Sequence, residues 1–313
     1  MYRLLNIQKD GLNYIVIESI DGNSKAKLCL NQGGRLNQLV LNGYSVIAEM
    51  DASTYKDNYA SAILFPFANR IENGEYEFNN SNYKLDCNEN GKNNAIHGLV
   101  YNKMFQFVDR TFNLKFGAVT LRYRDEGKSL GFPFKYSIEL TYKLSEKGLS
   151  LAVNIVNNDK NPFPFTLGWH PYFESKDLKN CYLNFNSNIE FQVDEHQIPN
   201  NEVACNETMP FQLKDRILDT GYRLEGNYVE FLTPEYQLKM EATSSENYLQ
   251  VYTPCESNSI AIEPMTGAAD SFNNKKGLQT LNSNANYKVE WLVNIKTSSK
   301  NNTNQLINKL CNS

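Results

Sequence analysis

The chain has 313 residues, of which 41% are hydrophobic and 21% are charged, and its formal net charge is −4. This composition is typical of a globular protein and argues against a disordered or fibrous one. The charge provides no broad cationic surface, so we expect neither nucleic acid nor an anionic membrane as a main partner. The length allows two domains, but large all-β domains reach this size as one unit.

The amino-terminal segment, MYRLLNIQKDGLNYIVIES (1–19), lacks the continuous apolar run of a signal peptide. No apolar run in the chain approaches the ~18 residues that a transmembrane helix needs. The six cysteines are scattered without a Cys-x-x-Cys pair, which gives no indication of a zinc or redox motif. We therefore expect a soluble, cytoplasmic protein.

Alternation of apolar and polar residues recurs along the chain and predicts β-strands. It is found in AVTLRYR (118–124), YSIELTYKLS (136–145), LSLAVNIVNN (149–158) and YKVEWLVNI (287–295). About twenty segments satisfy this criterion. Helical apolar periodicity never persists for three turns, so the sequence predicts an all-β protein.

No linker rich in Pro, Gly or Ser divides the chain, and no repeat of fixed period is present. These features favour one large antiparallel β-sandwich over a propeller. We predict a single sandwich domain over residues 1–297, followed by a polar carboxyl-terminal tail over residues 298–313. Curvature of the sheets would leave a concave face on which polar residues could bind a ligand.

The first segment with candidate functional residues covers residues 65–99. It contains Asn69-Arg70, then an Asn-Gly pair at 73–74 that predicts a β-hairpin turn, and it ends near His97. Arg70 has a rigid fork of donors that suits hydroxyl, carboxylate or phosphate groups. An ordinary surface ion pair explains a single arginine equally well. Neither Arg70 nor His97 identifies a site by itself.

Two further segments each place one titratable side chain within an apolar strand. In TLGWHPYF (166–173), alternation puts His170 on the side opposite the large apolar residues, and in SIAIEPM (259–265) it does the same for Glu263. Both residues precede a proline, which favours an extended backbone. Each dipeptide alone, His170-Pro171 or Glu263-Pro264, is explained equally well by a strand that ends at a proline. Together, the two titratable residues suit a pair of proton carriers held on a stiff backbone.

A metal site is a weaker interpretation of the same residues. His97, His170 and Glu263 have the types of a ligand set with two histidines and one carboxylate. They come from distant segments without a short His-x-His or His-x-x-x-His motif, so we expect no metal. The remaining histidine, His196, lies among charged residues and is expected in a surface loop.

Five segments taken together resemble the aldose 1-epimerase (galactose mutarotase) family: NRIENGEYEF (69–78), AIHGL (95–99), PFTLGWHPYF (164–173), LDTGY (218–222) and IAIEPMTGAADSFN (260–273). Their order and rough spacing match along most of the chain. The resemblance implies a galactose mutarotase-like supersandwich and an isomerase that interconverts the α and β anomers of a free aldohexose. It also implies that no cofactor is needed. We expect a small-molecule sugar as partner and a monomer or homodimer.

The family's functional residues carry over by motif. The resemblance implies His170 as general acid and Glu263 as general base. It implies four sugar-binding residues: Asn69, Arg70, His97 and Asp219. The chain has His97-Gly98-Leu99 where many family members have His-Gly-Gly. Its Gly-Trp-His-Pro form at 168–171 resembles a divergent bacterial branch.

The expected chemistry needs one proton donor and one acceptor. To open the hemiacetal, the ring oxygen gains a proton while the C1 hydroxyl loses one, and the reverse steps close the other anomer. Each group that assists proton transfer typically contributes roughly 10²–10⁴-fold in rate. With unperturbed pKa values of about 6.5 for histidine and about 4.3 for glutamate, the two side chains suit the acid and base roles.

Three alternatives stay open at this point. A glycosidase ranks lower because it normally needs two carboxylates at the scissile bond. A hexose 6-phosphate 1-epimerase requires Lys and Arg residues clustered at one end of the groove. A non-catalytic carbohydrate-binding or sugar-sensing domain would keep the fold without turnover.

Overall fold

The computed structural model describes residues 1–255 and 257–297. The predicted tail over residues 298–313 lies outside these ranges. Within them the chain forms 28 β-strands and two one-turn α-helices, with short 3-10 turns at Ala52–Thr54, Glu72–Gly74 and Leu178–Asn180.

The strands and helices are as follows in chain order. The first half contains β1 (Tyr2–Lys9), β2 (Leu12–Ser19), β3 (Lys25–Cys29), β4 (Arg35–Leu41), β5 (Tyr44–Ile47), α1 (Tyr55–Asn58), β6 (Ile63–Leu64), β7 (Arg70–Ile71), β8 (Glu75–Phe78), β9 (Ser81–Lys84), β10 (Ala95–Ile96), β11 (Gln106–Phe112), β12 (Phe116–Glu126), β13 (Lys135–Ser145) and β14 (Gly148–Asn157). The second half contains β15 (Phe163–Phe165), β16 (Gly168–Trp169), β17 (Tyr172–Glu174), β18 (Tyr182–Asn184), β19 (Ser187–Val193), β20 (Pro199–Ala204), β21 (Phe211–Gln212), β22 (Asp219–Leu224), β23 (Tyr228–Leu232), β24 (Tyr236–Ala242), β25 (Tyr248–Tyr252), β26 (Ser259–Met265), α2 (Ser271–Asn274), β27 (Gln279–Leu281) and β28 (Asn286–Thr297).

Three antiparallel sheets contain most of these strands. The nine-stranded sheet has the order β11-β12-β13-β14-β28-β24-β23-β18-β21, and the five-stranded sheet joins β1 to β5 in sequence. The eight-stranded sheet has the order β20-β19-β22-β25-β26-β16-β6, with β17 also paired to β26. The predicted all-β architecture of antiparallel sheets is therefore confirmed.

The predicted alternation is clearest in β13, the third strand of the nine-stranded sheet. Its buried residues are Tyr136, Ile138, Leu140, Tyr142 and Leu144, and the residues between them are partly or fully exposed. This face joins one large core of aromatic and branched aliphatic side chains. Burial of such apolar surface is the dominant favourable term in folding. The core therefore fixes the positions of the sheets, and the polar residues lie on the sheet faces that point away from it.

Neighbouring strands of the eight-stranded sheet bring several polar side chains together. Gln250 of β25 lies directly opposite Glu263 of β26, and Asp219 at the start of β22 lies opposite Tyr252 at the end of β25. On the other side of β26, Tyr172 is the partner of Ala261. Because side chains of a strand alternate between the two faces, this register collects polar groups on one face.

The predicted hairpin turn at Asn73-Gly74 is wrong. Both residues have positive φ, as a type I′ turn requires, but they lie in a 3-10 turn between two strands that do not pair. Strand β7 pairs with β10 instead, and the hairpin that follows joins β8 to β9 through Asn79 and Asn80. The Gly74 carbonyl accepts a hydrogen bond from the Leu85 backbone N–H at 2.8 Å, which turns the chain away from a local hairpin.

No helix among the described residues is long and apolar enough to cross a membrane. His196 lies in a turn with its side chain 51% exposed, as the sequence predicts.

Candidate active site

His170 lies between β16 and β17, where its backbone is fixed on both sides. Its N–H donates to the Ala62 carbonyl at 3.0 Å, and its carbonyl accepts from the Ser61 N–H at 2.8 Å. The Tyr172 ring stacks on the imidazole with centroids 5.1 Å apart. Only 4% of His170 is exposed. The side chain therefore has little freedom to leave its position.

Glu263 comes from the centre of the eight-stranded sheet and meets His170 from the adjacent segment. Its Oε1 lies 3.3 Å from His170 Nε2, and the carboxyl group is 2% exposed. Pro264 is the penultimate residue of β26, which agrees with the tolerance of proline near strand ends. The two residues that the sequence singles out thus form a buried contact pair.

His97 completes a row of rings beside this pair. Its imidazole packs edge-to-face on His170, with ring centroids 4.9 Å apart, and its other neighbour is the Tyr59 ring at 4.6 Å. The His97 backbone has φ 64° and donates its N–H to the Asn69 carbonyl at 2.8 Å. Non-glycine residues rarely occupy this region, and those that do cluster at functional sites.

Asn69 and Arg70 lie at the mouth of the same pocket. Asn69 also has positive φ, and its Oδ1 accepts from Arg70 Nη1 at 3.2 Å. Arg70 Nε contacts both carboxylate oxygens of Glu89, at 2.9 and 3.0 Å. The guanidinium is therefore held in a defined orientation by its neighbours.

Asp219 faces solvent within the pocket and contacts a residue that sequence reasoning did not single out. The Gln250 side-chain amide donates to Asp219 Oδ1 at 2.7 Å. Gln250 is 7% exposed and is the cross-strand neighbour of Glu263. Gln250 could have been predicted from the sequence, because it is the one strongly polar residue in the otherwise apolar strand YLQVY. Polar residues on such strands are expected to face a ligand.

All six sequence-predicted residues line one open pocket of about 650 Å³. The volume lies within the range of about 300–1,000 Å³ that is usual for small-molecule sites. Tyr59, Tyr172 and Tyr252 contribute aromatic walls, and Gln250 and Glu89 are polar lining residues that the sequence did not predict. Glu89 belongs to an Asn-rich loop whose composition distinguishes none of its residues.

Burial changes the protonation of the central pair relative to the sequence-based expectation. It lowers the pKa of His170 to about 4. It also raises the pKa of Glu263 well above the usual range, with a further contribution from the negative charge of Asp219. The assumption of ordinary pKa values for these two groups is therefore wrong. Between these two pKa values His170 is neutral and Glu263 is protonated, so the pair as a whole retains one proton.

The neighbouring His97 is neutral for a similar reason. Burial lowers its pKa well below the usual value, and the positive charge of Arg70, together with that of His170 when it is protonated, acts in the same direction. A neutral imidazole can donate a hydrogen bond from one nitrogen and accept one at the other. His97 is therefore suited to binding a hydroxyl group without carrying charge.

The same three side chains bring together ligand types that could bind a metal. One ligand atom each from His97, His170 and Glu263 lie within 4.8 Å of one another. Metal-bound histidines usually donate their second ring nitrogen to a carboxylate or carbonyl. The Nδ1 atoms of both histidines have no hydrogen-bond partner among the described residues. The cluster thus has the ligand types for a metal and lacks the supporting contacts typical of one.

Gly98 fixes the position of His97 and yields a stability prediction. Gly98 has φ 73°, and a Cβ there would lie 2.6 Å from the Phe65 backbone nitrogen and carbonyl carbon. We expect Gly98→Ala to lower the free energy of unfolding by more than about 2 kcal/mol, because the left-handed backbone alone costs roughly 1–2 kcal/mol. Urea unfolding followed by circular dichroism measures this loss.

Gly11→Ala is the matched control. Gly11 has φ 75° but no atom within 4 Å of an added Cβ, so it tests backbone strain alone. The control should lose only the roughly 1–2 kcal/mol of the left-handed backbone. Equal losses in the two variants would mean that the close approach of Phe65 does not constrain Gly98.

A family model for aldose 1-epimerases matches residues 17–293. The uncharacterised protein YihR of Escherichia coli is 26% identical over 263 residues, covering 80% of this chain and 84% of YihR. Human galactose mutarotase is 26% identical over 237 residues, covering 70% of this chain and 66% of the human protein.

Solved structures share the same fold. A galactose mutarotase-like protein from Clostridium acetobutylicum has a TM-score of 0.85 at 19% identity, covering 95% of this chain and 99% of its own. Galactose 1-epimerase from Lactobacillus acidophilus has a TM-score of 0.75 at 18% identity, covering 96% and 99%. At these identities the structural likeness establishes the fold, and the family model spans most of the sequence. The chain belongs to the aldose 1-epimerase family.

Proposed function

We propose that the protein is an aldose 1-epimerase that interconverts the α and β anomers of a free aldohexose, with His170 and Glu263 as its proton-transfer pair. The observation that carries this proposal is the 3.3 Å contact between His170 Nε2 and Glu263 Oε1. The pair lines a pocket that also contains the hydroxyl-binding side chains expected from the family motifs.

The pair has the proton content that the reaction requires. Ring opening needs a donor to the ring oxygen and an acceptor for the C1 hydroxyl proton. The shifted pKa values leave His170 neutral and Glu263 protonated at rest. Transfer of that proton from Glu263 to His170 gives the imidazolium that donates to the ring oxygen and the carboxylate that accepts the C1 hydroxyl proton. Rotation about the C1–C2 bond and reversal of the two transfers close the other anomer and restore the pair. The buried position excludes water, which strengthens electrostatic interactions with the reacting atoms.

The remaining polar residues have roles in binding the sugar. Arg70 and His97 are positioned to donate to ring hydroxyl or ring oxygen atoms, and Asn69 lies beside them. Asp219 can accept hydrogen bonds from hydroxyls. Its Oδ1 also accepts a hydrogen bond from the Gln250 side-chain amide, which orients the carboxylate. Hydrogen-bonded polar groups of this kind supply specificity, because a sugar that lacks the matching hydroxyl leaves them unpaired.

The charges of the pocket favour a free sugar over a sugar phosphate. Among the described lining residues, only Lys56 and Arg70 carry positive charge, and Arg70 is already paired with Glu89. Phosphate sites normally combine several charge-assisted hydrogen bonds. A hexose 6-phosphate 1-epimerase is therefore the less favoured alternative.

The proposal is tested by polarimetry with freshly dissolved α anomers of glucose, galactose and xylose. The protein should increase the rate of approach to equilibrium for at least one of them, and the increase should survive treatment with EDTA. If no common aldose responds while calorimetry detects tight sugar binding, the protein is a sugar-binding domain and the enzymatic proposal fails. Loss of activity after EDTA would assign a metal to the cluster of His97, His170 and Glu263.

The raised and lowered pKa values predict an unusual pH profile. The rate should be flat through pH ~6.5, where an ordinary histidine titrates. It should fall only toward the pKa of His170, about 4, because below it both partners are protonated and no acceptor remains. At the alkaline end it should fall once Glu263 loses the shared proton. An acid limb centred near pH ~6.5 would mean that His170 keeps its ordinary pKa.

A further inference from the structure

The loop from Asn88 to Asn94 forms one wall of the pocket and places Glu89 against Arg70. Besides the two contacts of Arg70 Nε, Nη2 lies 2.9 Å from Glu89 Oε1. An arginine has five N–H donors. Nε donates to Glu89 and one Nη1 hydrogen to Asn69, so each terminal nitrogen retains at least one hydrogen for a ligand.

Glu89 is held in place by the rest of its loop. Asn94 donates its side-chain amide to Glu89 Oε2 at 2.9 Å and to the His196 carbonyl at 2.9 Å. The backbone N–H groups of Asn88 and Glu89 both donate to the Asn94 carbonyl at 3.1 Å. Asn94 is 1% exposed. The Glu89 carboxylate is thus held in one orientation by its loop and by Arg70, unlike a mobile surface carboxylate.

The Arg70–Glu89 pair is largely removed from water, with side-chain exposures of 11% and 13%. Burial alone would raise the pKa of Glu89, but the hydrogen bonds and charge of Arg70, together with Asn94, hold it below the usual value. Glu89 is therefore ionised at neutral pH and offsets the charge of Arg70. Removing one member of such a pair leaves the other charge uncompensated.

The other charged groups of the pocket do not restore a positive field. Asp57 and Asp219 line it together with Glu89, and the remaining cationic lining residue, Lys56, is exposed. Lys92 lies 4.0 Å from Glu89, but it is outside the pocket lining and partly exposed. A negatively charged sugar would therefore meet an Arg70 whose charge is already neutralised. This distinguishes Arg70 from an arginine that anchors phosphate.

We infer that Glu89 is a positioning residue that directs the free N–H groups of Arg70 toward the sugar and cancels its charge, so that the pocket discriminates against anionic sugars. The inference rests on the proposed function, in which Arg70 contacts sugar oxygens.

The test compares glucose with glucose 6-phosphate in wild type, Glu89→Gln and Glu89→Asp. Anomer exchange by NMR gives kcat and KM for both sugars, and calorimetry gives their affinities. Glu89→Gln should raise KM for glucose and shift the preference toward glucose 6-phosphate by roughly tenfold, the size expected for one unit charge about 10 Å away at an effective dielectric constant of about 20. Glu89→Asp keeps the charge and should keep the wild-type preference.

Glu139→Gln is the matched control. Glu139 accepts from Arg122 Nε at 2.6 Å in a Glu–Arg pair on β12 and β13, and neither residue lines the pocket. It should leave both sugars unaffected. A purely structural role for Glu89 would lower activity on both sugars equally, so an unchanged preference in Glu89→Gln would overturn the inference. So would a wild-type preference for glucose 6-phosphate.

Failure of the proposed function gives a different result. If wild type accelerates exchange of neither sugar, the enzymatic proposal fails, and the calorimetric affinities still decide the inference. A roughly tenfold change in the affinity ratio on Glu89→Gln would support it, and a constant ratio would contradict it.

Discussion

Replacing Glu263 with Gln is expected to lower the rate of anomer exchange by roughly 10²–10⁴-fold, the usual contribution of one group that assists proton transfer. The amide has nearly the same shape as the carboxyl group but cannot accept and return a proton. Burial raises the pKa of Glu263 and keeps the carboxyl group neutral, so replacing it with a neutral amide removes no charge from this 2% exposed position. Exchange NMR at saturating sugar separates the expected fall in kcat from a change in KM.

Glu75→Gln provides the control for the same chemical change. Glu75 is exposed, with 66% of its side chain accessible, in a surface pair with Lys84. This variant should retain wild-type activity, because exposed ion pairs contribute about 0–1 kcal/mol. If Glu263→Gln also retains activity within a few-fold of wild type, Glu263 is not part of the proton-transfer pair.

His170→Asn is expected to give the second large loss, again roughly 10²–10⁴-fold in kcat. An asparagine can form a hydrogen bond from a similar position but does not gain and lose a proton near working pH. The edge-to-face contact with His97 and the stacking on Tyr172 are lost as well. A rise in KM accompanying the fall in kcat would therefore report the packing of these rings.

The control is His196→Asn, in the surface turn. The His196 side chain is 51% exposed, and only its carbonyl takes part in the hydrogen bond from Asn94. Its activity should match wild type. Full activity in His170→Asn would remove His170 from the mechanism, and a melting temperature well below that of wild type would assign the loss to folding.

The sequence alone predicted the strand faces on which His170 and Glu263 lie. The side-chain period of a strand is two, so Leu167 and Trp169 had to point away from His170, and both lie in the large core. The same reasoning applied to Glu263 and its neighbours Ile260 and Ile262, which also lie in that core. Local periodicity therefore predicted much of the fold and the orientation of the central pair.

Contacts between distant segments were beyond such reasoning. The partner of β7 is β10, some 25 residues later, and local turn chemistry at Asn73 and Gly74 favoured a different partner. The pairing of Arg70 with Glu89 depends on this same long-range arrangement. Pairing between distant strands such as β7 and β10 depends on how both faces of the sheet pack against the rest of the protein. The sequence of one strand and its turn does not determine that packing.

The protonation of the pair was also outside the reach of the sequence. Ordinary pKa values assume solvent contact, whereas His170 and Glu263 are almost fully buried. Desolvation disfavours the charged form of each group and moves their pKa values in opposite directions. Only the packing around the pocket determines how large that effect is, and it leaves His170 neutral beside a protonated Glu263.

The most direct test of the central claim is two-dimensional exchange NMR on an equilibrium mixture of glucose anomers, with wild type and with a variant that carries both His170→Asn and Glu263→Gln. Wild type should produce exchange cross-peaks far above the uncatalysed level. The double variant should give none beyond that level and should be little worse than the weaker single variant, because residues that act as a unit are not additive. Absence of exchange with wild type, or its persistence in the double variant, would contradict the account.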